Sequence, residues 1–200
     1  IGADTFQFFL RNPRGSRAKR FDPGDVDSLN RLLAEHAFAP IVAHAPYTLN
    51  ICAVDASQRA FALQTVRDDL FRMDHIRGGL YNLHPGSNMG LGARAGMRRA
   101  AELLTEALPG PVKTTVLLET MPGQGSSIGK TFEELAELLA LLPDTGRFGV
   151  CLDTCHVFAA GYDIKNDLDG VLAAFDRSIG LSRLRCVHLN DSMTPFNSGH

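Results

Sequence analysis

Phe148-Gly-Val-Cys-Leu-Asp-Thr-Cys-His-Val-Phe-Ala-Ala-Gly-Tyr-Asp163 decides how the rest of the chain is read. Its first six residues, Phe148–Asp153, form an apolar run of strand length that stops at a carboxylate. At Asp153-Thr-Cys-His156 the chain leaves the strand and turns into a helix. Residues three apart on a helical turn face one side, so Asp153 and His156 can reach one cavity. Carboxylate and imidazole are donors that divalent ions accept. Alone, such a pair is weak evidence. Cys151, Cys155 and His156 lack the second half of a zinc finger, which removes that reading.

Outward from this stretch the same alternation repeats. Strand-length apolar runs occupy Thr5–Leu10, Pro40–His44, Gly79–His84, Thr114–Glu119 and Leu184–Asn190. Helical spacing separates them. Val26, Leu29 and Leu33 share a face, as do Leu63, Val66, Leu70 and Met73. The same holds for Met97, Ala100, Ala101 and Leu104, for Phe132, Leu135, Ala136 and Leu139, and for Leu168, Val171, Leu172 and Phe175. Thr131 and Glu134 have the spacing of a capping box. Six strands alternating with five helices predict a parallel sheet covered by helices. A doubly wound sheet and a barrel both fit that order. With no internal repeat, low-complexity tract or linker, residues 1–200 read as one domain.

The strand ends favour the barrel. His44, His84, Glu119 and Asp153 each close a run, and His188 lies near the end of the last. C-terminal strand ends of a parallel barrel converge on one face, where such barrels do chemistry. With His156 the set exceeds what one catalytic zinc takes, so at least two ions are expected. Multi-metal sites favour phosphoester chemistry.

Bulk composition sets limits. The chain has 200 residues, 44% of them hydrophobic, enough for one core. A complete eight-stranded barrel usually needs ~250 residues, and residue 1 is Ile, so an incomplete barrel is expected. The formal charge of -2 excludes a dedicated basic coat for nucleic acid. The densest basic patch is Arg11, Arg14, Arg17, Lys19 and Arg20, which taken alone reads as a solvated loop. Four scattered cysteines do not make a disulfide framework, and free thiols in a reducing compartment account for them. No apolar run reaches the ~18 residues of a membrane span. A signal peptide stays open.

Several motifs together resemble one family. They are His44-Ala-Pro-Tyr-Thr-Leu-Asn50, Asn82-Leu-His-Pro-Gly-Ser87, Leu118-Glu-Thr-Met-Pro-Gly-Gln-Gly-Ser-Ser-Ile-Gly129, the 149–163 stretch and Val187-His-Leu-Asn-Asp-Ser192. In content and order they resemble the zinc-dependent endonuclease IV family of abasic-site endonucleases. The resemblance implies an α/β TIM (β/α)8 barrel, present here as an incomplete barrel lacking the first and last β/α elements. It implies three zinc ions, with Mn²⁺ as an alternative. It also implies a DNA repair hydrolase that cuts the phosphodiester 5′ to abasic sites in double-stranded DNA and trims blocked 3′ ends. His44 and His84 would hold the first ion, with Glu119 bridging to the second. Asp153 and His188 would hold the second, and His156 the third. A hydroxide bridging the first two would be the nucleophile. Arg14 and Tyr47 sit where the family inserts side chains into DNA. A cytoplasmic monomer is the family expectation.

The family pattern also places an Asp-x-His pair shortly after His200 and a further glutamate later, which complete the third and second ion sites. The 200-residue piece alone is therefore expected to be poorly stable and weakly active or inactive. Two other readings compete. A sugar isomerase or epimerase of the xylose-isomerase-like type would use Glu119, Asp153 and His188 with one ion, and would not need His44, His84 and His156. A non-catalytic relative would bind abasic DNA without cutting it. Metal stoichiometry separates the first pair, and cleavage separates the second.

Overall fold

The computed structural model describes residues 2–15, 17–108, 110 and 113–200. Its strands are β1 (Gln7–Phe9), β2 (Val42–His44), β3 (Leu80–Leu83), β4 (Thr115–Glu119), β5 (Phe148–Asp153) and β6 (Leu184–His188). Its helices are α1 (Pro23–Glu35), α2 (Ala56–Met73), α3 (Ala93–Ala107), α4 (Phe132–Leu141), α5 (Thr154–Ala160) and α6 (Leu168–Ser178). Each expected strand is present, most of them shorter than its apolar run. The expected helical faces fall on α1 to α4 and α6. The turn after Asp153 grows into a helix of its own, α5, which ends at Gly161 with φ +103°. That left-handed conformation suits glycine.

Every strand pair is parallel, and the sheet order is β1-β2-β3-β4-β5-β6. A doubly wound sheet reverses its strand order at a switch point. Here each strand adds on the same side, which is TIM-barrel winding. The sheet curls far enough that Gln7 Oε1 on β1 lies 2.7 Å from His188 Nε2 on β6.

Two apolar regions follow from the alternation of side chains along each strand. The larger packs helices on the outside of the sheet and includes Val66, Leu70, Met97, Leu104, Phe132, Leu135 and Phe175. The smaller lies inside the curl: Val42, Leu80, Leu117 and Cys151, with Cys186 against them. Two residues further along these strands come His44, Asn82, Glu119, Asp153 and His188. The period of two puts each pair on one face, so a polar layer rests on an apolar floor.

Two local expectations are corrected. Thr131 Oγ1 accepts from Glu134 N, but Glu134 Oε2 reaches past Thr131 to the amides of Gly129 and Lys130. The carboxylate therefore secures the loop before α4 rather than closing a capping box. Leu168, expected on the apolar face of α6, is half exposed at its first turn. Among the described residues, no helix is long and apolar enough to cross a membrane.

Candidate metal centre

Glu119 sits at the centre of the polar layer and is 1% exposed. Its Oε2 lies 3.2 Å from His44 Nε2 and 3.6 Å from His84 Nε2. Its Oε1 lies 3.2 Å from His188 Nδ1 and 3.4 Å from His156 Nδ1. Asp153 joins the second side, with Oδ2 at 3.6 Å from His188 Nδ1 and Oδ1 at 3.9 Å from His156 Nδ1. All six expected ligand residues thus meet around one carboxylate. His84 reaches it from the first position after β3 rather than from the strand itself.

Backbone geometry aims these groups. Asp153 caps α5, its Oδ1 accepting from His156 N at 2.9 Å, so strand end and helix start are locked together. Asp153 N donates to Thr120 Oγ1. Asn190 Nδ2 donates to Asp153 Oδ2, and Asn82 Nδ2 to Glu119 Oε2, both at 2.5 Å. Sequence reasoning named neither asparagine as a site residue, although both lie inside the quoted motifs. It also missed Gln7.

His44 and His188 are oriented through the nitrogen turned away from Glu119, whereas His156 is held through Nδ1, the nitrogen that also lies 3.4 Å from Glu119 Oε1. His44 Nδ1 meets Ala45 O at 2.6 Å, His156 Nδ1 meets Thr120 O at 2.8 Å, and His188 Nε2 meets Gln7 Oε1. A carbonyl oxygen only accepts, so in these contacts the imidazole nitrogen carries the proton. In the neutral tautomer the lone pairs of His44 Nε2 and His188 Nδ1 then face Glu119 oxygens at 3.2 Å. Two acceptors at that separation need a proton or a cation between them. Burial opposes ionisation of Glu119, yet hydrogen bonds from His188 and His44 hold its carboxyl far below the usual range. Desolvation pulls His84 down to about 4 against the attraction of Glu119, so it is neutral at pH 7. Hydrogen bonds to Asp153, Cys186 and Glu119 raise His188 to about 12. Among the described residues, buried Asn82 Oδ1 has no hydrogen-bond partner. The donor set suits divalent ions: the ligand atoms of His44, His84 and Glu119 lie within 4.8 Å of one another, as do those of Glu119, Asp153 and His156.

Tyr47 and Arg14 occupy neighbouring loops beside this centre. Tyr47 is 57% exposed, with its ring 5.4 Å from that of His44 and 6.0 Å from that of His84. Its backbone N donates to Pro13 O at 2.9 Å, joining the two loops. Arg14 is exposed in a turn closed by Gly15 N donating to Asn12 O. Arg11 departs from the expected basic patch. It is buried and paired with Asp69 and Asp68 through Nη2, at 2.7 Å from each. It holds the loop rather than facing solvent. The four cysteines are free thiols, with Cys52 and Cys151 buried.

A consecutive parallel sheet with imidazoles and carboxylates at its strand ends defines a class, the xylose isomerase-like TIM barrels, and the family model so described matches residues 1–200. Within that class, the chain belongs to the endonuclease 4 family. It is 53% identical over 198 residues to a probable endonuclease 4 of Akkermansia muciniphila, covering 99% of this chain and 72% of that one. A probable endonuclease 4 of Alkaliphilus oremlandii is 52% identical over 198 residues, covering 99% and 70%. The crystal structure of endonuclease IV from Thermus thermophilus superposes with a TM-score of 0.89 at 35% identity, over 100% of this chain and 71% of that one. A D-tagatose 3-epimerase-like protein superposes at 0.72 with 20% identity, a likeness of fold alone.

Proposed function

We propose that this chain carries a zinc-dependent DNA repair endonuclease activity, which hydrolyses the phosphodiester 5′ to abasic sites in double-stranded DNA and trims blocked 3′ ends. The observation that supports it most is Glu119, whose Oε2 faces nitrogens of His44 and His84 and whose Oε1 faces that of His188. That arrangement suits a carboxylate shared by two ions. His44 and His84 would hold one ion with Glu119, Asp153 and His188 a second, and His156 would contribute to a third. Ions held there would supply Lewis-acid stabilisation of charge on an attacked phosphodiester and would acidify water at neutral pH. Zinc fits the nitrogen and oxygen donors, and Mn²⁺ is admitted by the same set.

The remaining residues have roles of their own. Glu119 and Asp153 stay ionised at neutral pH and keep their oxygens available as donors. Ala45 O, Thr120 O and Gln7 Oε1 fix the imidazole tautomers, a second layer that sets ligand orientation. Tyr47 and Arg14 enter the duplex at the lesion, where a missing base leaves little stacking to lose. With a net charge of -2, attraction for phosphate rests on local basic side chains and on the bound ions.

Ion uptake is expected to expel a proton. His188, raised to about 12, is protonated at pH 7, whereas His84, lowered to about 4, is already neutral. An ion bound at His188 must displace that proton, so apparent affinity rises about tenfold per pH unit through the neutral range. Calorimetry in buffers of different ionisation heat reads the released proton directly. Uptake without proton release would contradict this account of His188.

The deciding experiment uses the full-length protein and a duplex with a single abasic site. The expected result is one cut, 5′ to the lesion with a 3′-hydroxyl, lost on chelation and restored by Zn²⁺. Elemental analysis is expected to show more than one zinc ion per chain. A single Mn²⁺ or Mg²⁺ per chain with no nicking would instead favour sugar chemistry. Binding without cleavage by the zinc-loaded protein would favour a non-catalytic relative.

A further inference from the structure

A second set of donors lies beneath the carboxylate layer. Cys151 on β5 and Cys186 on β6 are register partners on adjacent parallel strands. Each stands two residues before a polar-layer residue, Asp153 and His188 respectively. Strand alternation therefore turns all four side chains to the interior. The two sulfurs and a ring nitrogen of His188 lie within 4.8 Å of one another. Neither thiol is in a disulfide, and the surrounding floor is Val42, Leu80 and Leu117.

We propose that Cys151, Cys186 and His188 form a binding site for one thiophilic metal ion, of the class of Cd²⁺ or Cu⁺. Two thiolates and an imidazole are a soft donor set, and such sets select ions that oxygen donors hold less well. The carboxylate-rich centre above has the opposite preference. Three protein donors leave a fourth position open on a tetrahedral ion. Binding converts two thiols to thiolates and releases their protons to solvent. The site shares His188 with the centre described above. An ion drawn down to the sulfurs takes that imidazole away from Asp153 and Glu119. Thiophilic ions thereby compete for the second catalytic position. The sulfur site stands on its own geometry, and only the competition rests on the endonuclease reading.

The test is an anaerobic titration of metal-free, full-length protein with Cd²⁺ and, separately, with Co²⁺, followed by thiolate-to-metal charge-transfer absorbance. The expected result is a band whose amplitude at saturation corresponds to one thiolate-bound ion per chain, whatever further ions the carboxylate centre takes up. Cys186→Ser should lose the band, whereas Cys155→Ser, whose thiol lies outside the trio, should keep it. Cys186 is half-buried on an edge strand, and circular dichroism checks that its variant is folded. A band that survives Cys186→Ser, or no band with folded wild-type protein, overturns the proposal. So does thiol counting that finds Cys151 and Cys186 joined in a disulfide. Incision of abasic DNA is read in the same samples with Zn²⁺ alone. Failure of the sulfur site is thus distinguishable from failure of the nuclease reading.

Discussion

Glu119→Gln is expected to lower incision of abasic-site DNA by about a thousandfold or more while leaving binding to the same duplex measurable. The substitution keeps the shape of the side chain and removes its charge. It also turns one oxygen, now facing two imidazoles, into an NH₂ group. Both pairs of contacts, His44 with His84 and His156 with His188, lose their common anionic partner. Metal-ion catalysis contributes several kcal/mol, and each 1.36 kcal/mol is about tenfold in rate. Losing most of that contribution gives the expected magnitude. Tyr47 and Arg14 lie on other loops, so DNA affinity should fall far less than turnover. Gel-based incision and fluorescence anisotropy on one lesion duplex check the two halves. Unchanged cleavage would remove Glu119 from its bridging role.

The largest effect on stability is expected at Asp69. Its side chain is fully buried on α2, and it accepts from Arg11 Nε at 2.9 Å, Arg11 Nη2 at 2.7 Å and Tyr81 hydroxyl at 2.9 Å. Desolvation raises Asp69 and opposes the downward pull of Arg11 and Tyr81, so the carboxylate depends on its partners to stay ionised. Asp69→Ala leaves a buried guanidinium and a buried hydroxyl without it. Breaking a buried pair from one side costs about 3–5 kcal/mol. Asp68 still holds Arg11 Nη2 from a more exposed position, which favours the lower end. Urea denaturation of metal-free protein reads the change as a lower midpoint at constant slope. A loss of under about 1 kcal/mol would be that of a surface pair and would refute the buried-clamp account. The double variant Arg11→Met, Asp69→Leu should recover much of the loss, because apolar replacement of both partners removes the stranded charge.

The strands and helical faces were legible because burial imposes a period of two or 3.6 on the chain. The candidate ligand positions were legible because parallel strands deliver their C-terminal ends to one face. His44, His84, Glu119, Asp153, His156 and His188 could thus be read as one group. The choice between barrel and doubly wound sheet was not legible from the strand order along the chain, since both windings share it. Only pairing between strands distinguishes them, and here it is consecutive. Arg11 shows a different limit. The other basic residues of its patch, Arg14, Arg17, Lys19 and Arg20, are exposed, and its partners lie 57 and 58 residues away on α2. The orienting groups were hidden for the same reason. Gln7 meets His188 across 181 residues, and a neutral amide in a short strand carries no signal of that contact. Cys186 reads as an ordinary apolar residue until β6 is set in register with β5.

Asp153 illustrates how narrowly this architecture can drift over evolutionary time. One oxygen accepts from the His156 amide in the first turn of α5, and the other accepts from Asn190 and faces the His188 ring. Lengthening the side chain by one methylene, as in glutamate, cannot satisfy both commitments from the same backbone. Shortening it removes the helix cap and the candidate ligand together. Lineages that abandon the chemistry therefore face selection at this position from folding alone. The residue is expected to persist for its capping of α5 even where the proposed chemistry is lost, which makes its presence a poorer witness to function than the loops that carry Arg14 and Tyr47.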